Sequence, residues 1–588
     1  MKVLAQFKTI PNYVDFCLPE LKSLIAMHNL DWREVFKHEF VQEGQENLTN
    51  NNDLINTSPY YPYMYHQNKK LNQKKQLLPI SASEIRHTSF RRFPFVYLEF
   101  PNVEICQQII QRSILIDVFI EIISEATNYE DIVKFADKEI LFKHNQEDQK
   151  ILFEVDPYNS HLTQQEIIDR IEIITESLNM RGKIDLKNPQ KKFWIMERHV
   201  DPFTKQTDSS ITNTLLDIYF GVEIGRSKSC TRISQKENQT NKYDLRQRAY
   251  LGPTSTDNIL SFLMCNQGLT RSGDMILDPF VGSGSLIIPP SHFGAICFGG
   301  DLDPRVLHGF GVGRLNKKSQ FYQKNEEYCK EMKPKIMLNF EQYELNKPNI
   351  IRMDCINTNL REVEIFDAII CDPPYGFRAM TRTAGKKEKK RNRKDKQSTN
   401  ANTQEDEAQH EEDDQQTGSP LLKQTEQAKI VEEISNQMNG LDIEGKNTQP
   451  KNEEEEKKNN ENGEERHSYA PTLTVSVDYI VNGLVRLANR VLAPGGRLVF
   501  LYPIEREHYN STGIEKLNYP NFTLVDYSEN PLSEKKSRIL VTLQKNKSVK
   551  EFLEEAGYKN LDEMNEQNQF QNQTDQQQQQ QQQQTQAQ

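Results

Sequence analysis

Apolar runs and helical spacing alternate along this chain in two long stretches, and between and beyond them lie regions that show neither. Residues 1–45 combine a short apolar strand with the amphipathic run LPELKSLIAMHNL, and Phe95–Phe100 predicts a strand leading into the helical VEICQQIIQRSIL. A compact α+β unit over residues 1–130 is expected, interrupted at 46–80 by a loop rich in Asn, Gln, Tyr and Pro. A second unit is expected over 131–205, with strands at Ile151–Val155 and Lys192–Glu197. Between them Thr163 is followed three residues later by Glu166, which marks a helix start, and IIDRIEIITESL carries helical spacing behind it. Residues 206–241 read as a linker, although Phe220–Gly225 has strand character.

From about Lys242 short apolar runs alternate with helical segments: Met275–Leu277, Ala295–Phe298, Ile350–Met353 and Phe366–Cys371. Such alternation predicts a parallel sheet covered by helices on both faces. The pattern stops near Arg378 and resumes near Ser468, with a helix over Tyr479–Leu492, a tight turn at Pro494-Gly-Gly496 and a strand at Arg497–Leu501. Residues 379–467 contain no Phe, Trp or Tyr, so they have too little apolar surface to offset the entropy of ordering and read as a disordered charged insertion. Residues 546–588 read as a polar tail ending in the run Gln576–Gln584.

Charge at first argues against a nucleic-acid partner, because the net is −11. The distribution removes the objection: Gln397–Arg466 carries 19 Asp+Glu against 7 Lys+Arg, a net of −12, so the remainder is +1 and can hold basic patches. The Lys386–Lys396 run reads as solvated linker. Eight cysteines are scattered singly with no CxxC pair, so no zinc site or redox dithiol is suggested, and reduced thiols in a cytoplasmic protein are expected. No stretch approaches the roughly 20 apolar residues of a membrane span, and the N-terminus lacks a secretory apolar core.

Four motifs carry candidate chemistry. In Ile276-Leu-Asp-Pro-Phe-Val-Gly-Ser-Gly-Ser285 a buried strand ends at Asp278, and Gly282 and Gly284 let the backbone turn and approach a ligand, with a helix expected directly after. A dinucleotide fingerprint would place Gly or Ala at 287, where Ile287 stands, and the acid at 278 suits an ammonium better than a pyrophosphate. Asp301 ends the next strand, where doubly wound nucleotide binders hold ribose hydroxyls. Asp354 ends another, suitably placed to accept from an adenine amine. Each acid alone is an ordinary loop residue, but three at successive strand ends share the ligand-binding edge of one sheet.

The fourth motif is Phe366-Asp-Ala-Ile-Ile-Cys-Asp-Pro-Pro-Tyr-Gly376. Pro373 and Pro374 stiffen the loop and remove backbone donors, leaving carbonyls free to accept. An aromatic base amine is a poor nucleophile because its lone pair is delocalised into the ring. If the Asp372 carboxylate and the Pro373 carbonyl accept its two hydrogens, the lone pair turns toward a methyl donor. Tyr375 can stack on the base, and the Asp372 charge favours the cation developing on nitrogen.

Asp372-Pro-Pro-Tyr375 resembles the catalytic motif of amino-methyltransferases, and Asp278-Pro-Phe-Val-Gly-Ser-Gly284 resembles their S-adenosyl-L-methionine loop. With Tyr250-Leu-Gly-Pro-Thr-Ser255, Leu492-Ala-Pro-Gly-Gly496 and a segment, Glu154–Val200, similar to a THUMP RNA-binding module, the sequence is similar to the eukaryotic tRNA (guanine-10-N2)-methyltransferase catalytic subunits. The resemblance covers most of residues 1–45, 92–378 and 468–545. It implies an α/β protein with a C-terminal Rossmann-like class I methyltransferase domain (242–378 and 468–545) and an N-terminal α+β, THUMP-containing RNA-binding region. It also implies Asp278, Pro279, Phe280, Gly282, Ser283, Gly284, Asp301 and Asp354 as the cofactor site, and Asp372, Pro373, Pro374 and Tyr375 as the amine site. The implied partners are tRNA, methylated at a guanine of the D-arm junction, and a small zinc-binding activator protein. Two alternatives stay open: a DNA or RNA adenine-N6 methyltransferase, since this loop serves that amine too, and a tRNA-binding subunit without catalysis.

Overall fold

The computed structural model describes residues 1–36, 94–199, 215–230, 238–309, 312–358, 360–375, 382–384, 472–505, 517, 519–533 and 535–557. The loop expected at 46–80, the insertion expected at 379–467 apart from residues 382–384, and the glutamine run lie outside them.

The N-terminal half builds one seven-stranded sheet from β1 (Lys2–Phe7), β2 (Phe95–Glu99), β3 (Ile116–Ala126), β4 (Lys150–Tyr158), β5 (Lys183–Ile184), β6 (Lys191–His199) and β7 (Leu215–Arg226), in the order β2-β1-β3-β7-β6-β4-β5. The division expected at 130/131 therefore has no counterpart in the sheet, which runs unbroken from β2 to β5. The expected linker 206–241 contains β7, which pairs antiparallel with both β3 and β6 and joins the two halves. β3 went unpredicted because Ile114–Ile123 is a near-continuous apolar run without the alternation that marks a half-buried strand. Its two acids are accommodated individually: Asp117 lies 4.0 Å from the Lys8 ammonium, and Glu121 accepts from Lys143 at 3.1 Å. The helix start at Thr163 forms as expected, with Thr163 and Glu166 making a reciprocal capping box for Gln164–Ser177.

The C-terminal half contains β8 (Tyr250–Leu251), β9 (Met275–Asp278), β10 (Ile296–Asp301), β11 (Arg314–Leu315), β12 (Asn349–Arg352), β13 (Phe366–Cys371), β14 (Arg382–Ala384), β15 (Thr472–Thr474), β16 (Leu492–Glu505), β17 (Phe522–Pro531) and β18 (Lys536–Lys545). Seven of these form a second sheet ordered β12-β10-β9-β13-β16-β18-β17, while β8 pairs β11 and β14 pairs β15. β12, β10, β9, β13 and β16 are mutually parallel, and β18 runs antiparallel between β16 and β17. Strand order reverses between β9 and β13, and doubly wound sheets bind ligands in the crevice outside the carboxyl ends of the strands at such a reversal. The expected turn at Pro494-Gly-Gly496 is a bulge inside β16, where the register to β13 jumps from Phe366↔Leu492 to Ala368↔Arg497. The expected tail begins with an ordered helix, Val549–Ala556, capped by Ser548 and Glu551.

Helix Val477–Val491 lays Ile480, Val481, Leu484, Val485 and Leu487 on one face of the second sheet, spaced as a helical stripe. Helix Asn258–Gln267 covers the other face and meets helix Cys17–Ala26 of the N-terminal half, so one apolar cluster runs from Leu21 and Ile25 through Leu263 to Val499 and Leu540. Polar bonds lock the seam: buried Glu20 accepts from the Asn266 amide at 2.8 Å, and Arg497 donates to Ser23 Oγ at 3.1 Å and the Gln267 carbonyl at 2.8 Å. No described helix is long and apolar enough to cross a membrane. All eight cysteines are buried thiols.

Candidate active site

The end of β9 places Asp278 at the crevice, almost wholly buried, with the Phe280 amide donating to its Oδ1 at 2.9 Å. Burial pushes this carboxyl well above its usual range, the Phe280 bond opposes the shift, and the nearby charges of Asp301 and Asp372 add to it. Pro279 is buried behind Asp278, and Phe280 packs into the core beneath helix Val477–Val491. The turn that follows needs its glycines. Gly282 and Gly284 sit at φ +51° and +85°, and a Cβ on Gly284 would lie 3.2 Å from Ile336 and Phe340. The helix expected directly after this turn starts later, at Ile288, and lasts five residues, opened by Pro289 and Pro290 and closed at Gly294 with φ +85°.

Asp301 ends β10 and folds back on the glycine turn, accepting from the Gly282 amide at 3.0 Å and from the Asp303 amide at 2.8 Å. Burial raises it to about 6 despite those bonds. Behind the turn, Asn339 donates to the carbonyls of Tyr250 (2.9 Å) and Ser283 (3.0 Å) and accepts from the Tyr250 amide (2.9 Å). Ser255 and Ser283 share a 3.0 Å hydroxyl bond, so the Tyr250–Ser255 segment is stitched onto the turn.

Asp354 differs from the other acids. Its Oδ2 accepts from the Thr383 hydroxyl (2.6 Å), the Ala384 amide (2.7 Å) and the Asn357 amide (3.2 Å), and its Oδ1 from the Ile356 amide (2.9 Å). Burial opposes ionisation, but these donors outweigh it and hold the carboxyl below its ordinary value. Three of these donors meet Oδ2 and one meets Oδ1, so Asp354 pins the β14–β15 ribbon to the sheet.

Asp372 follows β13, side by side with Asp278 across the point where strand order reverses. Its Oδ2 accepts from the Thr256 hydroxyl and from Arg538 Nη1, each at 3.3 Å. Its Oδ1 is buried with no hydrogen-bond partner among the described residues, and the Tyr375 hydroxyl is in the same condition. Burial raises the Asp372 carboxyl to about 6, with Arg538 and Thr256 restraining the shift. Pro373 is buried and Pro374 half-buried, while Tyr375 rests against the core shared by the two halves. Thr256, Asn339 and Arg538 were not predicted. They lie 116, 33 and 166 residues from Asp372 along the chain, and the only trace of Arg538 is a cation inside the apolar strand KSRILVTLQK.

Residues 75–229 match the family described as Tmrp11 THUMP N-terminal domain, and residues 246–390 the RMKL-like, methyltransferase domain family. The tRNA (guanine(10)-N(2))-methyltransferase TRMT11 of Bos taurus is 30% identical over 334 residues, covering 55% of this chain and 67% of that protein. The chain belongs to the tRNA (guanine(10)-N(2))-methyltransferase family. The Gallus gallus member is 27% identical over 469 residues, covering 78% of this chain and 80% of its own length. Matches to the Pongo abelii and Homo sapiens members span 66% of those proteins. A solved structure, TrmN from Thermus thermophilus, is 13% identical, with 83% of this chain and 96% of that chain covered at a TM-score of 0.30.

For a member of this family the charge balance of the crevice is informative. Asp278, Asp301 and Asp372 gather there, Arg538 is the cation acting on Asp372, and no cation is recorded acting on Asp278 among the described residues. S-adenosyl-L-methionine, with an ammonium, a sulfonium and one carboxylate, brings net positive charge, and its fit rests on this deficit together with the open space beside Gly282, where a Cβ would meet nothing nearer than the Phe280 carbonyl at 3.9 Å.

Proposed function

We propose that this chain transfers a methyl group from S-adenosyl-L-methionine to the exocyclic N2 of a guanosine in tRNA, at position 10 as in the relatives' names. The observation that carries the reading is Asp372 Oδ1, buried without a hydrogen-bond partner among the described residues, in a rigid Pro-Pro loop beside Asp278 and the glycine turn. When bound, the cofactor supplies a methyl carbon on a positively charged sulfur. Asp278 would hold the ammonium, Gly282, Ser283 and Gly284 would line its backbone, and Asp301 would take the ribose hydroxyls through its remaining lone pairs. Asp354 would accept from the adenine amine.

On the substrate side Asp372 Oδ1 and the Pro373 carbonyl would accept the two N–H hydrogens, so the nitrogen lone pair faces the methyl. The nitrogen becomes cationic as the new bond forms, and the Asp372 charge lowers the energy of that state. Tyr375 would stack on the base, which must leave its helix stack to reach the crevice. The N-terminal sheet would hold the tRNA, and a small zinc-binding activator protein is proposed as partner on the family resemblance.

The test is transfer of labelled methyl to tRNA transcripts carrying guanosine, inosine or adenosine at position 10, with and without a zinc-binding activator. Guanosine should be methylated and inosine, which lacks the N2 amine, should not. Methylation of the adenosine transcript, or equal labelling of the inosine one, refutes the reading. Asp372→Ala should lower the rate by about 10²- to 10³-fold while cofactor binding stays measurable by calorimetry. Retained activity would put the amine site elsewhere.

A further inference from the structure

Of the two Asp372 oxygens only Oδ2 has a hydrogen-bond partner among the described residues, and it is held by a structure of its own. Arg538 lies on β18, cross-strand from Asn530 of β17 and from Pro503 of β16. Its Nη1 reaches Asp372 Oδ2, while its Nε and Nη2 donate to Asn530 Oδ1 at 3.2 and 2.9 Å. Asn530 in turn donates through Nδ2 to the Asn12 carbonyl at 3.4 Å, and the neighbouring Glu529 amide donates to Asp15 Oδ2 at 2.7 Å. The guanidinium side chain is 13% exposed. A series of contacts thus runs from the N-terminal segment Asn12–Asp15, through the ends of β17 and β18, to the amine site.

We infer that Arg538 is the positioning residue of Asp372: anchored by Asn530, it fixes the carboxylate rotamer by its Oδ2 and keeps the carboxylate charged with Oδ1 turned to the substrate amine. The inference rests on the proposed function and assigns to Arg538 a role through Asp372 without contact with substrate. A planar fork suits this task, because two of its nitrogens can stay on Asn530 while a third meets the acid. Without the cation the buried acid would face, among the described residues, the Thr256 hydroxyl, the Asp278 carboxyl and the neutral thiol of Cys371. On its other side Arg538 is flanked by Tyr13, whose phenol is kept protonated by burial and by Asp257. Protonated Asp372 would donate where the amine needs an acceptor, so methyl transfer requires the charged form.

The pH dependence of kcat/KM for methyl transfer to tRNA tests this. In the wild-type chain the acid limb should fall near 6, where Asp372 ionises. Removing an opposite charge at this range raises a carboxyl by about 1–3 units; the Thr256 hydroxyl stays on Oδ2 and keeps the shift to about 1–2 units, so Arg538→Gln should move the limb to about 7 or 8. Activity at pH 7 should then drop about two- to tenfold and return toward wild type by pH 9. Arg538→Lys, which keeps the charge, should leave the limb within about half a unit of wild type, and Asn530→Ala should move it part of the way up. These two variants keep the test usable if Arg538→Gln does not fold. A loss in Arg538→Gln that is the same at every pH, or an unmoved limb in Arg538→Gln or Asn530→Ala, overturns the inference while leaving the proposed function standing. A wild-type chain that transfers no methyl to tRNA at any pH overturns the proposed function and the inference with it.

Discussion

Glu20 gives the strongest test of how the two halves are held together. Its carboxylate is fully buried at the seam and accepts four hydrogen bonds: from the Ser113 hydroxyl (2.9 Å), the Ile114 and Leu115 amides (2.7 and 3.0 Å) and the Asn266 side chain (2.8 Å). Three partners belong to the turn before β3 and the fourth to the helix over the catalytic sheet. Glu20→Ala orphans two backbone donors and two side-chain donors at once. Each buried unmade bond costs about 1–3 kcal/mol, and water entering the vacated space recovers part of that. A net loss of about 3–5 kcal/mol follows. Glu20→Gln keeps one acceptor but turns an amide against existing donors, so about 1–3 kcal/mol is expected. Both tryptophans, Trp32 and Trp194, lie in the N-terminal half. Urea unfolding followed by their fluorescence therefore reports that half, and far-ultraviolet circular dichroism reports both. In wild type the two signals should coincide, and in Glu20→Ala they should separate, because the seam is the element lost. Coincident curves within about 1 kcal/mol of wild type would refute the assignment of Glu20 to the bonds that hold the halves together.

Other expectations concern the cofactor side. Gly284→Ala forces a side chain into a φ of +85° against Ile336 and Phe340; a stability loss of about 1–2 kcal/mol and weaker S-adenosyl-L-methionine binding should appear together in thermal melting and calorimetry, and an unchanged melting temperature would refute the strain. Cofactor affinity should also fall in acid. Asp301 and Asp372 are both raised to about 6 by burial, so they lose charge as pH falls through 6, and a cationic ligand loses its partners in that same window. From pH 8 to pH 5 the dissociation constant should rise about tenfold for each carboxylate linked to binding. The increment that the cofactor adds to the melting temperature is the quantity to compare, because Asp303 and Asp354, held low by their partners, lower the stability of the chain itself in acid. A dissociation constant flat between pH 8 and 5 would refute the charge argument.

The parts of this molecule that could be read along the chain are those built from neighbours in sequence. The parallel strands of the catalytic half announce themselves as short apolar runs, and an acid directly after such a run must sit on the sheet's ligand edge. Asp278, Asp301 and Asp372 were legible on that ground, and the capping box at Thr163 for the same local reason. β3 was not, because a strand buried over most of its length loses the alternation that identifies strands. The unity of the first sheet was hidden too, since it is made by β7 pairing with strands from both sides of an apparent boundary.

What stayed unreadable at the site is everything that decides the charge state of those acids. The position of Asp354 after a strand puts it on the same sheet edge, yet its charge is set by Thr383 and Ala384, about thirty residues on. Asp372 and Asp278 end adjacent strands and look alike in sequence, but one faces a guanidinium brought by an antiparallel strand and the other faces a second carboxylate. Burial penalises both, so the difference lies in the counter-charge. Asp372 has part of its compensation built into the fold and keeps one oxygen without a hydrogen-bond partner among the described residues, the arrangement needed to accept from an uncharged amine. Asp278 has none recorded among the described residues, and burying it is favourable only once a cation arrives. The two acids are therefore prepared for different ligands, and it is the position of Arg538, not either Asp-Pro motif, that tells them apart.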